Sequence, residues 1–161
     1  MLGELATVPR ALILDVGGFT ADYLLLKNGR ADLSTCDSLE NGVILLYNRI
    51  RSKANSDLDI LLEETDVDAI LLQGQGSGYG EAAAALVEYQ AQEFVNDMLG
   101  ALRERQLDLR TGRVIFVGGG ACLLRRQIEA SGKVAHPVFV EDVNANAKGF
   151  EYLYRCTVTE V

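Results

Sequence analysis

The eight residues from Asp15 to Asp22 (DVGGFTAD) constrain this chain more than any other stretch. An apolar run, Ala11 to Val16, carries an aspartate near its end and stops at a diglycine; a second apolar run, Tyr23 to Lys27, follows. Such a pattern predicts two strands joined by a tight turn. A phosphate needs several N–H donors converging on it, and Gly17 and Gly18 let the main chain come close. Thr20 adds a hydroxyl, so the phosphate-binding turn would be Gly17, Gly18, Phe19 and Thr20. Asp15, at a strand end, can hold the water shell of a magnesium ion, and Asp22 is placed to tie the turn or to share that shell. A diglycine alone would favour an ordinary hairpin whose glycines supply positive φ. The added aspartates and threonine at this spacing favour phosphate.

A second motif lies about a hundred residues further on. Arg113 to Val117 (RVIFV) reads as a buried strand, Gly118-Gly119-Gly120 follows at once, and Ala121 to Ala130 has the pattern of a helix. The start of a helix offers free N–H groups and a partial positive charge. Three glycines remove the side chains that would block a flat ring or a ribose, which makes Gly118, Gly119, Gly120 and Ala121 candidate nucleotide contacts. A tight strand-to-helix turn explains the same residues equally well.

Between the motifs the pattern is α/β. Asn28-Gly29 suits a two-residue type I′ turn, so Arg30 to Cys36 predicts a third antiparallel strand. Helices are predicted at Gly42 to Ala54, capped by Ser38 or Asn41, at Asp57 to Glu64, capped by Ser56, and at Val67 to Leu72, capped by Asp66. Gln73 to Gly80 is a glycine-rich connector. Glu81 to Leu107 is the longest helical stretch, Pro137 to Val140 a short strand, and Ala145 to Tyr154 a closing helix.

The totals exclude several function classes. The formal net charge is −8. Non-specific nucleic-acid binding draws its affinity from Lys and Arg on phosphates, and Arg103 to Arg105 and Arg125-Arg126 are only short basic pairs, so no direct nucleic-acid contact is expected. Cys36, Cys122 and Cys156 stand apart with no CxxC pair, as in a reducing compartment. His136, the single histidine, precedes Pro137 and has no close metal-ligating partner. No apolar run approaches a membrane span, and no secretory leader is recognisable; the expected place is the cytoplasm.

Taken together, Asp-x-Gly-Gly-x-Thr-x-Asp and the later strand-GGG-helix resemble the second half of the actin, sugar-kinase and heat-shock-chaperone ATPases, over nearly the whole chain. The bulky Phe19, where chaperone and MreB-like members have a third glycine, looks most like the plasmid-segregation ParM/StbA group and its archaeal relatives. The Asn144-Ala-Asn-Ala-Lys-Gly149 segment is similar to that group's ending, although Asn144 as a helix N-cap explains it as well. The resemblance implies a ribonuclease H-like, actin-type fold: a mixed sheet opening with three antiparallel strands, flanked by helices, with a small helical subdomain at about residues 42–72. It implies ATP (or GTP) and Mg as cofactors, self-association into filaments, and a DNA-bound adaptor as a partner.

Only one such glycine turn is present. The turn that holds the β- and γ-phosphates and the group that orients the attacking water belong to the family's first half. The expectation is therefore half of an ATP site, an excised second domain (residues 11–161) behind a short linker remnant (residues 1–10), inactive alone. Alternatives are half of a chaperone-like, MreB-like or sugar-kinase ATPase, or a freestanding interaction module that does not turn over nucleotide.

Overall fold

The computed structural model describes residues 9–74 and 78–141. Asn144, the predicted closing helix and Cys156 lie outside the described residues.

Five strands form one mixed sheet in the order β3-β2-β1-β4-β5: β1 (Arg10–Val16), β2 (Ala21–Lys27), β3 (Arg30–Leu39), β4 (Arg113–Val117) and β5 (Pro137–Phe139). The first three strands are antiparallel neighbours, whereas β4 lies parallel to β1 and β5 parallel to β4. As the central strand, β1 buries Ala11, Leu12, Leu14 and Val16. The Asn28-Gly29 turn has φ of 51° and 73°, the positive pair that a type I′ turn requires. Strand β3 extends past the predicted Cys36 to Leu39. It bulges where the register passes from Leu25↔Asp32 to Leu24↔Cys36, and Asp32 gathers the bulge by accepting from Ser34 Oγ (2.6 Å), Thr35 Oγ1 (3.1 Å) and Lys27 Nζ (2.6 Å).

The helices are α1 (Val43–Leu58), α2 (Glu64–Gln73), α3 (Glu81–Glu104), α4 (Gly119–Leu123) and α5 (Arg125–Ala130). Along α3, Val87, Ala91, Phe94, Val95, Met98 and Leu102 are fully buried at helical spacing. Each of the large ones contributes about 1.5–3 kcal/mol relative to exposure. Leu46, Ile50 and Ala54 of α1 and Val67, Ile70 and Leu71 of α2 join the same buried cluster as Leu14 and Phe116 of the sheet.

The observed helices differ from the predicted ones. The predicted Asp57–Glu64 helix does not form. Helix α1 runs through Ser56 to Leu58, and Asp59 ends it in the left-handed region (φ 55°), its N–H on the carbonyls of Ala54 and Asn55. Asp66 is not an N-cap but the third residue of α2, in a capping box with Glu63. The helix after the triglycine is broken at Leu124 (φ −95°, ψ 10°) into α4 and α5.

Candidate functional site

Because β1 and β4 are parallel neighbours, paired Asp15↔Val117, the two glycine motifs leave the sheet side by side. Gly118 takes a φ of 89°, and a Cβ there would collide with Asp15 Oδ1. Gly120 has no room either, since a Cβ would lie 2.7 Å from Val43 Cγ1 and 2.8 Å from the Val16 carbonyl. Gly119 is different, for a Cβ there meets nothing within 4 Å. Two of the three glycines are thus demanded by close packing on β1, and the middle one faces open space.

The diglycine turn is organised by a helix. Helix α1 begins at Gly42 without a side-chain cap. Its first amides instead donate to the turn: Gly42 N to Phe19 O (3.1 Å), Val43 N to Gly17 O (3.1 Å) and Ile44 N to Gly18 O (2.9 Å). Three of the amides that every helix start leaves unpaired are satisfied this way. The predicted caps Ser38 and Asn41 are not used, because the turn itself is the cap. With these carbonyls drawn to α1, the amides of Gly18 and Phe19 donate to no main-chain carbonyl among the described residues.

Between the motifs lies a cleft of about 490 Å³, within the range of small-ligand sites. Gly17 and Gly18 form one wall and Gly119, Gly120, Cys122 and Leu123 another; Val43 and Tyr47 of α1 and Asp68 and Leu72 of α2 complete it. The Tyr47 hydroxyl donates to Asp68 Oδ1 at 2.5 Å. Burial, helped by that bond, pushes the Tyr47 phenol above the ordinary tyrosine range. Sequence reasoning missed both residues. Tyr47 reads as part of an apolar helical stripe and Asp68 as one of several acids on a solvated face, and nothing local joins them.

The other predicted residues take distinct places. Asp15 and Asp22 stand opposite each other in the β1–β2 register. Asp22 accepts from Thr20 Oγ1 (3.1 Å) on one oxygen and from Ser38 Oγ on the other, so it ties the turn to β3. A phosphate would have to draw the Thr20 hydroxyl away from that carboxylate. Phe19 is 79% exposed at the turn's tip, and Ala121 is fully buried in the core; neither lines the cleft. Among the described residues no three His, Cys, Asp or Glu side chains converge as a metal cage. Two carboxylates beside a diglycine turn are nonetheless a donor set that would suit Mg if phosphate oxygens and water completed its shell. No helix of the described residues is long and apolar enough to cross a membrane.

Solved structures similar to this chain in fold include actin-like proteins. The chain is similar to Bacillus thuringiensis ParM with ADP (TM-score 0.58, 11% identity, 84% of this chain and 43% of that one). It is also similar to the Alp12 filament structure (TM-score 0.61, 18% identity, 86% and 44%) and to Ta0583, an archaeal actin homolog (TM-score 0.61, 19% identity, 92% and 49%). At these identities the likeness is one of fold, and it defines the class: the C-terminal half of an actin-type ATPase fold. The profile of the archaeal actin homologue MreB-like C-terminal family matches residues 13–130. The chain belongs to that family. No curated protein matches it. The chain spans less than half the length of each of these three solved structures.

Proposed function

We propose that this chain is the nucleotide-binding half of an actin-like, filament-forming ATPase of the plasmid-segregation kind, with Mg-ATP (or Mg-GTP) in the cleft between the two glycine motifs. The observation that carries the reading is the cleft itself. Gly17 and Gly18 bound it on one side, and Gly119, whose missing Cβ leaves open space, bounds it on the other. In this reading the amide of Gly18, which lines the cleft, and that of Phe19 just beside it receive phosphate, Asp15 holds the magnesium through water, and the α4 start receives the nucleoside side. Catalysis of phosphoryl transfer is mainly positioning and electrostatics from both sides of the nucleotide. The chain alone therefore binds weakly and hydrolyses very slowly. Self-association into filaments and an adaptor that couples them to DNA belong to the whole protein, as does a cytoplasmic location; the Alp12 filament structure among the similar structures supports the filament part.

Gly119→Val tests the reading, because a Cβ there meets nothing within 4 Å and the added side chain would take up room in the cleft that Gly119 lines. Titration calorimetry with Mg-ATP should show weak binding by the native chain and none by the variant. Equal binding by both would put the nucleotide elsewhere, and no binding by the native chain at millimolar nucleotide would leave the half-site reading without support.

A further inference from the structure

We propose that a second groove, between the α1–α2 connection and the first turn of α3, docks a cationic segment of a partner protein that inserts an apolar side chain beside Leu61. The groove holds about 460 Å³, with Leu58, Ile60 and Leu61 on one side and Ala82 and Ala83 on the other. It shares no lining residue with the nucleotide cleft.

Leu61 is 86% exposed, the most exposed large apolar side chain among the described residues. It is not a loose loop residue. On one side Asp59 closes α1 in its left-handed turn, and Ile60 donates to the Ala54 carbonyl at 3.3 Å. On the other, Leu62 is buried and the Glu63–Asp66 capping box opens α2, with the Tyr79 hydroxyl bonded to Asp66 from across the groove. The fold holds Leu61 out while it draws the next residue in, so the anchor is already ordered before anything binds.

The rim has one sign. No Lys or Arg occurs between Lys53 and Arg103. Asp59, Glu63 and Glu81, each next in the chain to a residue that lines the groove, are exposed and form no ion pair among the described residues. An apolar floor under an uncompensated acidic rim is complementary to an apolar side chain flanked by Lys or Arg. Nucleic acid and anionic membrane carry the wrong charge. A second copy meeting this face symmetrically would set the same acidic residues against themselves. A basic protein segment is the occupant that both features select.

The test uses the 161-residue chain and a fluorescent synthetic peptide of about twelve residues, with leucines one helical turn apart and lysines around them. Anisotropy should show saturable binding that weakens with added salt. Leu61→Ser should weaken it by about tenfold, and the combined Asp59→Asn, Glu63→Gln and Glu81→Gln variant comparably. Gly119→Val, in the other cleft, should leave it unchanged even if nucleotide binding is lost. Leu61 is a surface residue, and thermal unfolding of Leu61→Ser should match the native chain. The proposal is overturned if a lysine peptide without leucines binds as tightly, or if Leu61→Ser binds like the native chain. It is also overturned if sedimentation shows the native chain associating with itself through Leu61, which would assign the groove to a second copy.

Discussion

Gly118 stands directly against Asp15: it takes a φ of 89° in a place where a Cβ would collide with the Asp15 carboxylate and lie 2.7 Å from the Val16 carbonyl. The first glycine of one motif is therefore required by the aspartate of the other. Gly118→Ala should destabilise the chain by about 1–3 kcal/mol, from strain at positive φ and from overpacking. Gly119→Ala, with open space around it, should stay within about 0.5 kcal/mol of the native chain or gain slightly. Urea denaturation of the two variants side by side checks the difference, and equal losses would refute it.

Asp15 and Asp22 face each other but should not behave alike. Asp15→Ala is expected to reduce Mg-ATP binding while leaving metal-free ATP binding little changed, because in the proposed site its role is toward the ion. Asp22→Ala removes the acceptor shared by Thr20 and Ser38, and loss of those bonds should cost about 1–3 kcal/mol of stability. Binding measured with magnesium and with a chelator, alongside denaturation, separates the two. Metal-dependent binding that survives in Asp15→Ala would remove that residue from the site.

Gly42 abuts the diglycine turn so closely that a Cβ would run into the Gly18 carbonyl and the Phe19 main chain. Gly42→Ala should push α1 off the turn, cost about 1–3 kcal/mol, and disturb Mg-ATP binding although Gly42 does not line the cleft. Amide exchange at Val43 and Ile44, whose N–H groups bond the turn, should quicken. Unchanged exchange there would mean that the turn and the helix start are not coupled.

The Tyr47–Asp68 bond gives a pH dependence whose sign is determined. Burial raises the folded Tyr47 above its ordinary value, so the folded chain holds that proton more tightly than the unfolded one. The stabilisation is complete below the usual tyrosine range, about pH 10, and is lost as pH rises through and beyond it. Tyr47→Phe should lose about 1 kcal/mol near neutrality, from the missing hydrogen bond, and show a shallower alkaline fall. Denaturation midpoints measured across neutral and alkaline pH check both; parallel curves would contradict the assignment.

The elements legible in the sequence are those whose signals are local. The hairpin is written in Asn28-Gly29, which tolerate the positive φ they adopt. The long helix α3 is written in the spacing of Val87, Phe94 and Leu102. Both glycine motifs stand out because strands flank them. The helix ends around Ser56 and Asp66 are misread because several residues there could cap on propensity alone. The choice was made by burial of Leu62 and by the left-handed turn at Asp59.

By itself, then, the sequence determined the two glycine turns, the strands that flank them, the long helix α3 and the family to which they belong, because backbone freedom and apolar periodicity are properties of neighbouring residues. Only the tertiary structure decided that Gly118 and Gly120 serve packing while Gly119 opens on the cleft, that the α1 start is capped by the diglycine turn, and that Tyr47 meets Asp68 at the rim. Those outcomes depend on the parallel pairing of β1 with β4 and on how α1 docks against both. Such distances between residues far apart in the chain are set by packing and carry no local signature.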